Sequence, residues 1–233
     1  MKKNLIGLSL FLLSFITVNA QTAEELVAKN IEARGGLEKL KALKGIIYEG
    51  AMQQQGVEIA MKFYYFHNVA TRVEFSAMGQ EGYTIITTTK GWSFNPFAGN
   101  EASVELPEDA VKESQVQLDV QGPLVDYKEK GNKIEYAGKE TVQGADFFKL
   151  KVTRSNGKSI LYYLDKNYLV TKAISTATVN GAEQEVSTEY SDYRKTPEGY
   201  TLAFKRVNAN MDVTFEKVII NPPFNEALIK PTN

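Results

Sequence analysis

Gly91-Trp92-Ser93-Phe94-Asn95-Pro96-Phe97 holds the only tryptophan of the chain, with two phenylalanines close behind it. Glycine, asparagine and proline mark a turn, because each favours a backbone geometry that regular elements avoid. Large rings mark burial. Trp92 and Phe94 are two residues apart, the spacing of one face of a strand, and Asn95-Pro96 ends that strand. Rings beside a turn need an apolar surface nearby, and the flanking sequence supplies one.

Upstream, Val57, Ile59, Met61, Phe63 and Tyr65 alternate with Glu58, Ala60, Lys62 and Tyr64. Thr71, Val73, Phe75 and Ala77 alternate with Arg72, Glu74 and Ser76. A period of two predicts strands with one apolar face. Tyr83 to Thr89 is a further β-branched run. Downstream, Pro107 to Lys130 breaks the pattern. Pro107, Glu108 and Asp109 suit the first turn of a helix, by fixed φ and by charge against its dipole. Ala110, Val111, Ser114, Gln115 and Leu118 share one face of it. Gly122-Pro123 interrupts, and Leu124, Val125 and Tyr127 predict a second short helix.

The rest reads as a meander. Phe148, Leu150 and Val152 alternate with lysines and threonine, and Asn156-Gly157 is a two-residue hairpin turn. Ile160 to Leu164, Thr201 to Val207 and Val213 to Ile220 continue it, with Asn180-Gly181 and Glu198-Gly199 as further turns and Pro222-Pro223 as the stop. At the other end, Thr22 and Glu25 form a capping box for a helix that Gly35-Gly36 terminates. Leu37, Leu40 and Leu43 then line one side of a short turn. The expected fold is mainly β: one antiparallel domain of about eleven strands, with an N-terminal helix and mid-chain helices. Wrapping into a barrel or half-barrel would settle the edges of so long a meander.

Lys2, Lys3, the apolar run Leu5 to Val18 and the small-x-small triplet Val18-Asn19-Ala20 read as a secretory signal peptide over residues 1–20, cleaved after Ala20. The run is shorter than the ~20 residues of a membrane span. The mature domain is then 21–233. Losing Lys2 and Lys3 takes the formal charge from −1 to −3. Mild acidity without a basic block argues against nucleic acid as a partner. With no cysteine, the exported chain has no disulfide framework and no N-terminal cysteine to lipidate.

Catalytic equipment is sparse. His67 is the only histidine and there is no cysteine, which leaves no His/Cys metal site and no cofactor motif. No G-x-S-x-G surrounds a serine of the mature chain. His67-Asn68 lies between two strands and reads as a solvated turn. Glu58, Glu74 and Glu135 alternate with apolar residues and read as outer-face carboxylates, although a carboxylate hydrolase remains a third reading. What the chain has instead is aromatic surface, 12 Phe and 12 Tyr. The pattern alone leaves an ordinary core and a ligand-lined barrel equally open.

Trp92-Ser93-Phe94-Asn95-Pro96 after Thr89-Lys90-Gly91 resembles the W-x-aromatic-(Asn/Asp)-Pro segment of the LolA-like periplasmic carriers. The opening helix ending in Gly-Gly, and the close Val218-Ile219-Ile220-Asn221-Pro222-Pro223 with Leu228-Ile229-Lys230-Pro231, resemble the outer membrane lipoprotein-sorting proteins of Bacteroidetes. The resemblance spans nearly the whole mature chain. It implies an unclosed antiparallel barrel with helices plugging its mouth. It also implies a soluble, non-catalytic, monomeric periplasmic carrier of the acyl chains of lipoproteins or related lipids, handing over between an inner-membrane transporter and an outer-membrane acceptor. A sensor or scaffold that binds a lipidated or misfolded protein is the alternative within this fold. The resemblance points Trp92 and Phe94 into the barrel, with Met61, Phe63, Tyr65, Val73, Phe75, Leu150 and Val152 as the rest of the apolar lining. Well-studied members carry a basic residue followed by proline where this chain has Phe66-His67-Asn68. His67 is therefore the candidate for the lid latch.

Overall fold

The computed structural model describes residues 22–54, 56–179, 182–209 and 211–232. The leader and the Asn180-Gly181 turn lie outside the described residues. α1 (Ala23–Ala33) opens on the expected capping box: the Glu25 N–H donates to Thr22 Oγ1, and the Thr22 N–H to Glu25 Oε2, both at 3.1 Å. Its Leu26, Val27 and Asn30 are buried. Gly35 and Gly36 take positive φ, which turns the chain into α2 (Leu37–Lys41).

Thirteen strands follow, two more than expected: β1 (Gly45–Gln54), β2 (Val57–Phe66), β3 (Ala70–Ala77), β4 (Gln80–Thr87), β5 (Gly91–Phe94), β6 (Val104–Glu105), β7 (Lys133–Val142), β8 (Ala145–Thr153), β9 (Ser159–Leu164), β10 (Val170–Val179), β11 (Ala182–Lys195), β12 (Thr201–Asn208) and β13 (Met211–Ile220). They form one antiparallel sheet in the order β6-β5-β4-β3-β2-β1-β13-β12-β11-β10-β9-β8-β7. β6 and β7 remain edges, so the barrel is unclosed, as expected. Every neighbour except β1 with β13 is consecutive in sequence. That seam joins the first strand to the last, with a register shift at Glu49/Gly50.

Laid flat, thirteen strands would span about 55–60 Å. The mid-chain segment shows that they curl instead. α3 (Glu108–Ser114) and a 3-10 turn (Gln115–Leu118) sit between the two arms of the sheet. Asn68, in the β2–β3 turn, donates its N–H to Leu118 O at 2.8 Å. Beyond β8, Arg154 Nη1 donates to Val116 O at 3.5 Å, and Lys158 pairs with Glu113 at 3.0 Å. One short segment thus touches both arms. The second short helix expected at Leu124–Tyr127 is instead a run of turns, closed by Val125 N–H to Gly122 O and Lys130 N–H to Asp126 O. Asp126 has φ 48°, outside the right-handed helical region. Leu124 and Val125 are nonetheless buried, so this loop plugs the concave side with two apolar anchors.

Candidate functional site

Residues paired across an antiparallel ladder share a face. Phe63 pairs with Tyr48 and Val73, Met61 with Gly50 and Phe75, and Tyr65 with Ile46 and Thr71. Leu40, Leu43 and Val125 pack on Tyr48 and Phe63, so this face is the concave, helix-covered one. Leu150 and Val152 belong to the same side, fully buried against Leu26, Val27 and Leu124. Seven of the nine expected lining residues are therefore brought to the concave side. Three of them, Phe63, Leu150 and Val152, are already covered by the chain's own helices and plug. Met61, Tyr65 and Val73 pack at the margin, partly buried, together with Met52 and Met211. Phe75 lies across Gly82, where a Cβ would overlap its ring.

Trp92 and Phe94 do not join this set. Trp92 pairs with Ile85 and Phe94 with Tyr83. Those residues pair with Arg72 and Glu74, which stand opposite Tyr64 and Lys62 on the outer face. The cause is α3. A Cβ on Gly91 would sit 3.0 Å from Val111 Cγ2, so only the small side of β5, Gly91 and Ser93, fits inward. Phe94 packs on Tyr83 at 5.9 Å between ring centroids. Asn95 then caps a 3-10 turn (Pro96–Ala98) by accepting the Phe97 N–H at 3.1 Å. That turn carries Phe97 to the concave-face Phe75, ring centroids 6.2 Å apart.

A cleft of about 750 Å³ is lined by Glu49, Lys62, Arg72, Glu74 and Phe94 of the outer register and also by Met61 and Phe75 of the concave one. Five of its charged side chains pair with one another. Lys62 and Lys217 both hold Glu49, at 2.9 and 3.2 Å, and Arg72 Nε donates to Glu74 at 2.7 Å. Beside it, the C-terminal segment covers the apolar outer patch. Phe224 meets Phe66 edge-on at 5.0 Å, Leu228 packs on Ile47, Tyr64 and Phe66, and the Thr232 N–H donates to Tyr83 Oη at 2.9 Å. Cleft size alone therefore does not locate the apolar site.

The concave side also carries a smaller, partly open cavity of about 200 Å³. Arg34, at the end of α1, and Arg206, on β12, line it with Tyr162, Tyr190, Tyr193 and Asn30. Pattern reading missed both arginines, though one signal was present: Leu202, Phe204 and Arg206 alternate, which puts a guanidinium in the apolar register of a strand. Arg206 lies over the rings of Tyr48 at 4.5 Å and Phe215 at 5.0 Å, and Nη1 donates to Tyr65 Oη at 3.4 Å. Its Nε has no partner, nor has Oδ1 of Asn30. Arg34 Nη2 donates to Gln121 O at 3.1 Å. Among the described residues, no ion pair involves either arginine. Burial pulls the Arg34 guanidinium down from its ordinary value, pushes the Tyr162 phenol up to about 12 and pushes Tyr193 and Tyr190 upward. Ring contacts stabilise a cation by about 0.5–2 kcal/mol, whereas desolvating an ion costs several kcal/mol. Around Arg206, burial lowers the pKa but Tyr48, Tyr65 and Tyr190 outweigh it and hold the guanidinium above its ordinary value; around Arg34, burial prevails.

His67 sits where the β2–β3 turn meets the plug, and its N–H donates to Lys44 O at 2.8 Å. Asn68 Nδ2 lies 3.1 Å from Nε2. If the amide donates there, Nδ1 carries the ring proton toward Asp119, 3.8 Å away, too far for a hydrogen bond. Asp119 is instead held by Lys130 Nζ, 2.8 Å from both carboxylate oxygens. Burial lowers the His67 pKa; Asp119 opposes this and is outweighed, and Lys130 adds to the lowering. The unfolded chain, with histidine near ~6.5, thus takes up the proton first. The stability contribution is complete above that pH and is lost as pH falls through the lower folded value. Between about pH 7.5 and about pH 5.5, the melting temperature of the native sequence should fall further than that of His67→Asn. Equal falls would remove His67 from the pH response.

No protein-family model and no curated protein matches the chain. Solved structures do match its fold. A LolA superfamily protein from Nitrosomonas europaea is 11% identical with a TM-score of 0.53, over 91% of this chain and 98% of that one. A DUF1329 family protein from Desulfovibrio piger is 11% identical with a TM-score of 0.54, over the same shares, 91% and 98%. A domain from Vibrio parahaemolyticus named for outer membrane lipoprotein sorting is 12% identical with a TM-score of 0.51, over 88% and 94%. The chain shares the fold of these solved structures. At this identity the likeness is one of fold and does not single out a bacterial group.

Proposed function

We propose that the protein is an exported carrier that holds an acyl chain of a lipoprotein or related lipid against the concave face, without catalysis, in the periplasm. The observation that carries this reading is the partly exposed apolar margin of Met52, Met61, Tyr65, Val73 and Met211, continuous with the buried core under the helices. The fold shared with a lipoprotein-sorting domain supports it, and the leader-like residues 1–20 support export. Each methylene taken out of water is worth about 0.8 kcal/mol, so a 16-carbon chain needs roughly 12 kcal/mol of shelter. The concave-side cavity of about 200 Å³ is smaller than the roughly 300–1,000 Å³ of ligand pockets. A chain therefore enters by displacing the plug of Leu124 and Val125 from the sheet. In this reading Met61, Tyr65, Val73 and Phe75 touch the ligand first, and Phe63, Leu150 and Val152 are reached as the plug yields.

Native mass spectrometry of protein purified gently from the periplasm, followed by solvent extraction, tests this directly. A bound mass that releases a lipid or acylated peptide is expected. A clean apo mass that persists after incubation with phospholipid and lipopeptide would refute the carrier reading. A co-purifying protein with no lipid would favour a scaffold.

A further inference from the structure

We propose that the cavity between Arg34 and Arg206 is a binding site for an oxyanion, a carboxylate or phosphate, and that the ligand of the concave face is consequently an anionic amphiphile rather than a neutral one. The second clause rests on the acyl-carrier reading; the first does not.

Two permanently charged guanidiniums line one small cavity, and among the described residues neither forms an ion pair. Asp119 is the acid whose field reaches Arg34, and Lys130 already holds it at 2.8 Å. The remaining polar neighbours are phenols and an amide, which are neutral at physiological pH. Arg206 Nε is a buried donor without an acceptor. Both arginines are only partly exposed, a charge drawn out of water normally has a partner, and a planar guanidinium matches a carboxylate or phosphate with two parallel donors. Asn30 is fully buried and leaves an acceptor, Oδ1, without a partner, which suits a hydroxyl on the same headgroup. The cavity volume of about 200 Å³ fits a headgroup and not a long chain. Tyr65 connects the two regions: its hydroxyl takes the Arg206 hydrogen bond, and its strand neighbours Phe63 and Met61 continue the concave face.

The test compares dodecanoate with dodecanol by calorimetry on the mature protein, and separately follows the arginine Nε–H resonances as inorganic phosphate is added. Wild-type protein is expected to bind dodecanoate at least tenfold more tightly than dodecanol. Arg206→Gln and Arg34→Gln should each remove most of that preference and leave dodecanol affinity within twofold, whereas Arg206→Lys should keep part of it. Two separate glutamine variants guard against one that fails to fold. If neither amphiphile binds but phosphate moves the arginine resonances, the anion site stands and the acyl-carrier reading falls. Equal affinity for the acid and the alcohol, or resonances unmoved by both phosphate and dodecanoate, would overturn the proposal.

Discussion

Phe215→Ala is expected to lower the stability of the folded chain by about 3–5 kcal/mol. Phe215 has no exposed surface. It meets Tyr48 at 4.8 Å and Phe63 edge-on at 5.5 Å, and it is one of the rings under Arg206. Its partner across the β1–β13 seam is Gly50, where the register shifts and where any Cβ would overlap Thr214 O. The backbone is already as close as it can be, so the sheet has little freedom to collapse into the space a truncated ring leaves. The cost should therefore lie toward the upper end of the range. The seam also has an unusual duty: it pairs the first strand with the last, so its loss separates the two arms of the sheet. Urea unfolding checks this through the midpoint at unchanged slope. A loss below about 1 kcal/mol would mean that the seam is held by its backbone bonds and not by this ring.

The pattern in the sequence reached the strands and stopped at the faces. Val57–Phe66 and Ala70–Ala77 emerge where alternation put them, because a period of two is a local property that each residue signals by itself. The capping box at Thr22 and the hairpin at Asn156-Gly157 are local for the same reason, although that hairpin closes with the Arg154 N–H donating to Lys158 O and Gly157 at φ 83°, over three residues and not the expected two. Which side of a strand is concave is not local. Trp92 and Phe94 share a face in the sequence, and they share one in the structure, but α3 decides which one by packing Val111 against Gly91. The large rings were read as inward because they are large; the small residues are inward because a helix is there. The arginine cavity was hidden by the same limit. Its lining comes from α1, β9, β11 and β12 and the plug, and no window of sequence contains two of its arginines. Only Arg206, alternating with Leu202 and Phe204, offered a clue, and it was one residue in an otherwise ordinary strand.

The reversal of faces makes the sharpest functional contrast. Val73→Glu is expected to weaken acyl binding by at least about a hundredfold, because a carboxylate set against hydrocarbon loses several kcal/mol of hydration and each 1.4 kcal/mol is a factor of about ten. Val73 is partly buried at the concave margin, so the free protein can still hydrate the new charge and keep its fold. Phe94→Glu, by contrast, should bind as the native chain does. Phe94 lies in the outer-face register beside Tyr83, on a partly open cleft that Met52, Tyr65 and Val73 do not line, so a carboxylate there stays hydrated and away from that margin. Trp92 stands on that outer face too, which makes its fluorescence a control: adding acyl ligand should leave its emission nearly unchanged while binding is followed by calorimetry. A brominated fatty acid that quenches Trp92, together with loss of binding in Phe94→Glu and not in Val73→Glu, would place the ligand on the outer cleft and remove the concave margin from the mechanism. Retention of binding by both folded variants would take the acyl chain away from both surfaces.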